Sequence, residues 1–254
     1  MDVARRRELA HRVLDGYASG HGAPVRATAR ALAKFDSALA KSDSAVPMSD
    51  GAMVAEIESA AVGADNALVL LLVEGISDQI AVETAAVCRG LDLDAERVVV
   101  VPIGGAHAIG RFLTRLGPPP LRVRLAGLCD LAEAEIFRRG LRTAGVGVPD
   151  SDAELARLGF QVCVEDLEDE LIRAVGVEGV EALFDSQGAL GSFRSLQSQP
   201  AWRGRNTEGQ MRRFLGSGSR RKSRYARLLV EAAVARNALP RPLDALLRTV
   251  CAPH

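Results

Sequence analysis

The chain has 254 residues, 48% of them hydrophobic and 25% charged, which is enough apolar material for one large domain or for a medium domain with a helical extension. Its 32 basic and 32 acidic side chains balance, which argues against a protein that coats nucleic acid by charge alone. The N-terminus lacks the apolar core of a secretory signal, and the longest apolar run, Ala67–Val73, is too short to cross a bilayer. The composition therefore predicts a soluble, cytoplasmic protein.

Residues 1–64 are predicted to form an N-terminal helical extension. Apolar residues recur at helical spacing in 3–16, 25–41 and 52–62, and a polar linker covers 42–51. This Ala-rich region carries no recognisable chemistry. We interpret it as an extension that packs on the main domain or on a second subunit, so a homodimer is one predicted state.

The next segment, 65–176, is predicted to be an α/β domain. Short Val- and Leu-rich runs alternate with amphipathic stretches of helical length, which indicates a parallel sheet with helices on both faces. The predicted strands are Ala67–Val73, Arg97–Pro102, Leu121–Cys129 and Phe160–Val164, and the predicted helices between and after them are 78–89, 106–116, 131–144 and 167–175.

The remaining residues, 177–254, are predicted to be a C-terminal helical region. Proline residues and the Gly-Ser-Gly-Ser sequence at 216–219 separate its segments. The predicted helices are 177–187, 189–198, 205–215, 219–236 and 242–250.

Acidic side chains follow three of the predicted strands. They are Glu74 and Asp78 after the first, Asp130 and Glu133 after the third, and the run 165–170 after the fourth. Ligands of open parallel sheets bind beyond the carboxyl ends of the strands, and clustered carboxylates are commonly neutralised by Mg²⁺ or Mn²⁺. The alternative is that these acidic residues are helix N-caps, which are common after strands.

Charge is also distributed unevenly along the chain. Carboxylates predominate between Asp150 and Asp185, whereas Arg203–Arg227 is strongly basic. An acidic metal site beside a basic stretch suits an enzyme that acts on polyanions, although a solvated basic helix has the same composition. Gly104-Gly105 could cradle a phosphate with its amides or form a tight strand–helix turn, and we favour the turn. Cys129 and Cys163 end apolar runs and are predicted to be buried, reduced thiols.

Several segments resemble the TOPRIM domain, a Rossmann-like α/β fold, as it occurs in nucleases of the overcoming lysogenization defect (OLD) family. The spacing Glu74-Gly75-x-Ser77-Asp78 is specific for that branch, and the resemblance covers about 65–250. It is carried by LVEGISDQIAV (72–82), VVVPIGGAHAIGRFL (99–113), LAGLCDLAEAEIFRRGL (125–141), VCVEDLEDELIRAVG (162–176) and GSGSRRKSRYARLLVEA (216–232).

The resemblance implies a DNA endonuclease or nickase that cleaves phosphodiesters with two Mg²⁺ or Mn²⁺ ions. Glu74 matches the glutamate that serves as metal ligand or general base, and Asp130 matches the first Asp of an Asp-x-Asp motif. Ala132 stands where the second Asp belongs, and Glu133 is the adjacent carboxylate that could replace it. The resemblance further implies metal-ligand roles for Asp78 and Glu168, a phosphate-stabilising role for Lys222, and nucleic-acid contacts for the neighbouring Arg220, Arg221 and Arg224.

OLD proteins of the usual kind carry an ATPase, but the phosphate-loop motif does not occur in this sequence. An ATPase activity would therefore have to come from a separate partner chain. Two alternatives to the nuclease stay open. One is a TOPRIM module that binds metal and nucleic acid, or a protein partner, without cleavage. The other is an enzyme that hydrolyses or transfers small phosphate compounds at the same metal site.

Overall fold

The computed structural model describes residues 68–116 and 123–251. The predicted N-terminal helices at 3–16, 25–41 and 52–62 lie outside these residues. In the described part, the elements follow in chain order as β1 (Leu68–Val73), α1 (Ile76–Cys88), β2 (Val98–Pro102), a 3-10 turn (Ala106–Ala108), α2 (Ile109–Leu116), β3 (Val123–Asp130), a second 3-10 turn (Leu131–Glu133), α3 (Ala134–Thr143), α4 (Asp152–Arg157), β4 (Phe160–Cys163), α5 (Leu167–Val175), α6 (Val177–Ser186), α7 (Leu190–Ser198), α8 (Thr207–Leu215), α9 (Ser219–Ala235) and α10 (Arg241–Val250).

The four strands form one parallel sheet in the order β2-β1-β3-β4. Strand β1 lies in the interior of the sheet. Its position explains why its sequence is a continuous run of apolar residues. Val69, Leu71 and Val73 belong to the hydrophobic cluster on one face, whereas Leu70 and Leu72 belong to the cluster on the other. Successive side chains of a strand point to opposite faces, so a strand covered on both faces has no polar positions. The predicted α/β class, with helices on both faces, is confirmed.

The two faces are covered by different parts of the chain. Helices α2, α3 and α4 cover one face, and α1 covers the other together with α5–α10. The hydrophobic cluster on the second face is continuous across residue 176, where the sequence suggests a domain boundary. Helix α9 packs along α1, and α10 packs on β3 and β4. The C-terminal helices therefore pack over the sheet. Their residues can reach its carboxyl edge, where the acidic side chains lie.

Helix α4 is the one described element that the sequence analysis does not predict. The Ser151 side chain accepts a hydrogen bond from the Glu154 backbone N–H at 3.2 Å, and Glu154 in turn accepts one from the Asp150 backbone N–H at 2.7 Å. Ser-x-x-Glu is the local signature of a helix start, so this helix could have been found from its cap. Its six residues are too few to show a clear helical period.

Cys129 and Cys163 are buried free thiols on adjacent strands, as predicted, and burial raises the pKa of both. They belong to the hydrophobic clusters on opposite faces of the sheet, so they do not face each other. Among the helices of the described residues, none combines the length and apolarity required to span a membrane.

Gly127 in β3 marks the tightest contact between the central strands. A Cβ added there would lie 2.7 Å from the Phe160 ring and 2.8 Å from the Leu72 carbonyl oxygen. We expect Gly127→Ala to lower the free energy of unfolding by about 2–3 kcal/mol, because a backbone atom cannot move aside without disturbing the ladder. Urea unfolding measures this effect. Gly191→Ala is the matched control, since its Cβ would meet open space in α7 and should leave the midpoint unchanged or slightly raised. Equal midpoints for Gly127→Ala and the wild type would contradict the expectation.

Candidate functional site

Three carboxylates converge at the carboxyl edge of the sheet. Glu74 follows β1, Asp130 ends β3, and Glu133 ends the 3-10 turn after it. One oxygen from each lies within 4.8 Å of the other two. The Asp130 backbone N–H also donates to Glu74 Oε1 at 3.3 Å. This hydrogen bond connects the end of β3 to the residue that follows β1.

The chemistry of this cluster fits a hard divalent cation. Glu133 Oε2 is shielded from solvent and has no hydrogen-bond partner, although a buried carboxylate oxygen normally requires one. Mg²⁺ and Mn²⁺ prefer carboxylate oxygen ligands, and a cation at this position would satisfy that oxygen together with those of Glu74 and Asp130. The cluster is therefore a candidate metal site.

The turn after β2 holds the backbone of Glu74. The amides of Gly104 and Gly105 donate to the Glu74 carbonyl oxygen at 3.1 and 2.8 Å. Both glycines have positive φ, 80° and 102°, which side chains rarely adopt. These amides are already occupied, so the preferred interpretation, a tight turn, is correct, and the alternative of a phosphate cradle is wrong for them.

A second group of charges lies beside the first. Glu168, in the first turn of α5, is 7% exposed, and its Oε1 lies 3.2 Å from Lys222 Nζ in the first turn of α9. Asp78 Oδ2 accepts the Gly75 backbone N–H at 2.9 Å. The charges of Asp78 and Asp130 both act on Lys222, so the two groups lie within electrostatic range of each other.

Asp166 and Arg212 also belong to this edge of the sheet. The N-cap interpretation is correct for Asp166, which accepts the Asp169 backbone N–H at 2.7 Å at the start of α5. Asp130 makes no such bond in the turn that follows it. Asp166 also binds Arg212 Nε of α8 at 2.5 Å. Arg212 is not predicted from the sequence, because no local pattern shows which arginine of the basic stretch folds back onto α5.

The electrostatics are those of carboxylates crowded together. Burial raises the pKa of Glu74 to about 9, assisted by the neighbouring Glu133 carboxylate and by the charge of Asp130. The pKa of Asp130 is raised to about 7. Burial is the largest cause, and the negative charges of Asp166 and Asp78 follow it. Burial also raises the pKa of Glu168 to about 7, although the positive charge of Lys222 opposes this shift. The pKa of Asp78 is raised as well, again mainly by burial. Protons therefore occupy part of this site at neutral pH unless cations replace them.

Comparison with known proteins places this edge in a family. Residues 67–131 match the family model described as "Overcoming lysogenization defect protein-like, TOPRIM domain". Residues 67–131 are an OLD-like TOPRIM segment. Glu74, Asp78 and Asp130 lie within the matched residues. The resemblance noted in the sequence is thereby confirmed for this segment.

Two solved structures extend the likeness to the fold of the described chain. The C-terminal region of the OLD protein from Xanthomonas campestris pv. campestris is 21% identical, with a TM-score of 0.51, and the match covers 74% of this chain and 96% of that one. The C-terminal region of the Burkholderia pseudomallei OLD protein is 20% identical, with a TM-score of 0.50, and coverage of 72% and 96%. At these identities the likeness shows the fold alone. A search of curated proteins found no match to this chain.

Ala132 stands where the resemblance to the family implies a second aspartate. Ala132 is the exposed middle residue of the 3-10 turn, and the same turn directs Glu133 inward to Glu74 and Asp130. Glu133, one residue further along the chain, is the carboxylate that lies with Glu74 and Asp130.

The basic residues expected to contact nucleic acid differ in their exposure and in the groups that they contact. Lys222 lies at the acidic edge. Arg221 stacks on the Phe214 ring, with its guanidinium carbon 4.1 Å from the centroid, and donates to the Phe214 carbonyl oxygen at 3.0 Å. Arg224 is exposed and donates to the Gln187 side chain, and Arg220 is exposed at the start of α9. Their contacts with nucleic acid stay a prediction.

The raised pKa values predict how metal binding depends on pH. Glu74 and Asp130 must lose protons before they can bind a cation, and their pKa values of about 9 and about 7 lie at or above neutrality. We expect the affinity for Mn²⁺ to rise as pH rises through about 7, by up to about tenfold per pH unit for each proton released. Titration calorimetry in buffers of different ionisation enthalpy measures the proton release directly. An affinity that is constant between about pH 6 and pH 8 would contradict these pKa shifts.

Proposed function

We propose that this chain is a metal-dependent nuclease that cleaves phosphodiester bonds of DNA. The observation that carries the proposal is the cluster of Glu74, Asp130 and Glu133, whose oxygens lie within 4.8 Å of one another at the carboxyl edge of a TOPRIM sheet. Glu133 Oε2, which is shielded from solvent and has no hydrogen-bond partner, also supports the proposal, since a bound cation would satisfy it.

The proposed site would hold two ions. Glu74, Asp130 and Glu133 would hold one, and Glu168 with Asp78 would hold the other. Two bound Mg²⁺ or Mn²⁺ ions would supply charge stabilisation for the attacking and the leaving oxygen of the phosphodiester. The chain itself would fix the ligand oxygens, through the Gly104 and Gly105 amides that hold Glu74.

Lys222 would act on the phosphate. Burial lowers the pKa of Lys222, but Glu168 and then Asp78 oppose that effect, and the pKa lies above its ordinary value. The ammonium group therefore stays protonated beside the metal ligands. It would stabilise negative charge that develops on the scissile phosphate, as a point charge rather than a bidentate partner.

A nicking assay tests the proposal. Supercoiled plasmid is incubated with the purified chain in Mg²⁺, Mn²⁺ or EDTA, and wild type is compared with Glu74→Ala. We expect relaxation of the plasmid by the wild type with either metal, and neither nicking in EDTA nor nicking by the variant.

The matched control is Glu135→Ala, prepared in the same way. Glu135 is an exposed carboxylate in α3 that contacts only Arg138 in the described part of the chain, at 3.3 Å, so its loss should leave nicking unchanged. Equal nicking by wild type and Glu74→Ala would point to a contaminating nuclease and would remove the assigned mechanism.

A module that binds without cleaving is the second candidate, and Ala132 is the observation that favours it. It predicts metal binding without nicking, together with DNA binding that weakens steeply with salt. Replacing Arg220, Arg221 and Lys222 together would then reduce DNA affinity and its salt dependence.

A further inference from the structure

Arg212 of helix α8 binds the start of helix α5, beside the candidate metal site. Its Nε donates to Asp166 Oδ2 at 2.5 Å, and its Nη1 lies 3.4 Å from Glu165 Oε2. The Glu165 side chain is 61% exposed, so solvent weakens that longer contact, whereas the Asp166 side chain is only 16% exposed. The contact between Arg212 and Asp166 is therefore the stronger of the two.

Helix α8 holds Arg212 in a fixed place. The neighbouring residues Met211 and Phe214 are buried in the hydrophobic cluster on that face of the sheet. The Phe214 ring also packs edge-on against the Phe184 ring, with 5.0 Å between the centroids. Because the helix is anchored before and after residue 212, a rigid element presents the guanidinium to Asp166.

Both oxygens of Asp166 are engaged. Oδ1 accepts the Asp169 backbone N–H at 2.7 Å and thereby caps α5, and Oδ2 accepts Arg212 Nε. The first turn of that helix carries Glu168, whose Oε1 lies 3.2 Å from Lys222 Nζ. The two hydrogen bonds of Asp166 therefore fix the turn from which Glu168 reaches the acidic edge.

Asp166 lies within electrostatic range of the proposed metal ligands. After burial, its negative charge is the largest cause of the raised pKa of Asp130, and it also acts on Asp78 and Glu168. In the described part of the chain, Asp166 nevertheless lies outside the three-carboxylate cluster. A carboxylate near a divalent cation is a ligand for it unless other contacts hold its oxygens. The contacts with α5 and α8 are such contacts.

We propose that Arg212 is a positioning residue, which holds the Asp166 carboxylate at the start of α5 so that Glu168 rather than Asp166 is offered to the second metal ion. This inference rests on the proposed function and adds a residue that controls which carboxylates bind the ion. Without the guanidinium, one oxygen of Asp166 would lose its partner in a largely buried place, and a divalent cation would satisfy it. The ion would then be held by a different set of oxygens, away from the position that cleavage requires.

Substitutions at residues 212 and 166 test the inference. Arg212→Gln removes the guanidinium, and Asp166→Asn removes the competing charge but keeps an oxygen that can cap α5. We expect Arg212→Gln to bind Mn²⁺ about threefold or more tightly in titration calorimetry, because it frees a carboxylate at the edge. We also expect it to cleave DNA about 10–100-fold more slowly at saturating metal and DNA.

The double variant Arg212→Gln, Asp166→Asn carries the sharpest expectation. If Arg212 acts by holding Asp166, removing the Asp166 charge makes the loss of the guanidinium harmless. Mn²⁺ affinity and cleavage should both return to the values of Asp166→Asn alone. Arg212→Lys keeps a cation that can pair with Asp166, so its cleavage rate should lie between those of the wild type and Arg212→Gln.

Arg213→Gln is the matched control. Arg213 is the exposed neighbour on the same helix, so its replacement removes the same charge and leaves Arg212 bound to Asp166. Its Mn²⁺ affinity and cleavage rate should equal those of the wild type. Thermal unfolding in EDTA checks that every variant keeps its fold.

The outcomes separate this inference from the proposed function. Weaker Mn²⁺ binding in Arg212→Gln that Asp166→Asn does not reverse overturns it, because Arg212 would then only stabilise the fold. One bound Mn²⁺ ion fewer in Asp166→Asn also overturns it and makes Asp166 a ligand. Weaker DNA binding in Arg212→Gln, with an unchanged rate at saturating DNA, overturns it and assigns Arg212 to a phosphate. If the wild type binds Mn²⁺ but never cleaves, the proposed function is wrong, and the change in Mn²⁺ affinity with its reversal still decides the role of Arg212.

Discussion

Glu74→Gln is expected to reduce metal-dependent cleavage by about a thousandfold or more, because it removes a charged ligand from the centre of the candidate metal site. Glutamine keeps the size of the side chain and an oxygen that can accept the Asp130 backbone N–H. The fold and the contact between β1 and β3 should therefore survive. Single-turnover cleavage of a labelled strand in Mn²⁺ measures the loss, with Glu135→Gln as the exposed-carboxylate control.

The same substitution is expected to stabilise the metal-free protein. The folded pKa of Glu74, about 9, lies above its ordinary value of 4.5, so the contribution of Glu74 to stability is complete at low pH and is lost as pH rises toward about 9. At neutral pH the unfolded chain has released this proton and the folded chain has kept it. Removing the titration should stabilise the folded state by about 1–2 kcal/mol at neutral pH, after allowance for screening by solvent.

Thermal unfolding in EDTA measures this effect. We expect the melting temperature of the wild type to fall between about pH 5 and pH 8, and that of Glu74→Gln to fall less. A lower melting temperature for the variant across the whole range would mean that Glu74 stabilises the fold rather than strains it. That result would contradict the raised pKa of Glu74.

The fold could be predicted largely from local pattern. The strands of this sheet are buried on both faces, so they appear in the sequence as uninterrupted Val and Leu runs, and the connecting helices have enough turns to show their period. Helix α4 could not be found in this way, because its six residues hold too few turns and only the Ser151–Glu154 cap marks it. The N-terminal helices stay a prediction.

The candidate site could be predicted only in part, for a physical reason. Glu74 and Asp130 follow strands that turn out to be neighbours, and the ends of parallel strands meet at one edge. Lys222 and Arg212 reach that edge from helices that fold back over the sheet, and helical periodicity contains no information about such a return. The resemblance to a known family pointed to Lys222, whereas nothing in the sequence pointed to Arg212.

Glu133 is the residue on which the proposed cleavage depends most, because Ala132 stands where the resemblance implies an aspartate and Glu133 is the adjacent carboxylate. Glu133 lies with Glu74 and Asp130 in the three-carboxylate cluster, and its Oε2 has no hydrogen-bond partner. We expect Glu133→Ala to reduce cleavage and Mn²⁺ affinity by about a hundredfold or more. We also expect the metal-free variant to be at least as stable as the wild type, because a buried oxygen without a partner destabilises the fold.

Moving the carboxylate from residue 133 to residue 132 tests whether the site requires a carboxylate at residue 133 or accepts one at residue 132. The double variant Ala132→Asp, Glu133→Ala restores an aspartate where the family has one and removes the glutamate. If the 3-10 turn merely transfers the carboxylate from one residue to the next, the double variant should recover cleavage to within about tenfold of the wild type. Unchanged cleavage and Mn²⁺ affinity in Glu133→Ala alone would show that Glu74 and Asp130 hold the ion without it. Loss of cleavage in both variants would mean that the longer side chain of Glu133, approaching from the end of the turn, is itself required to reach the ion.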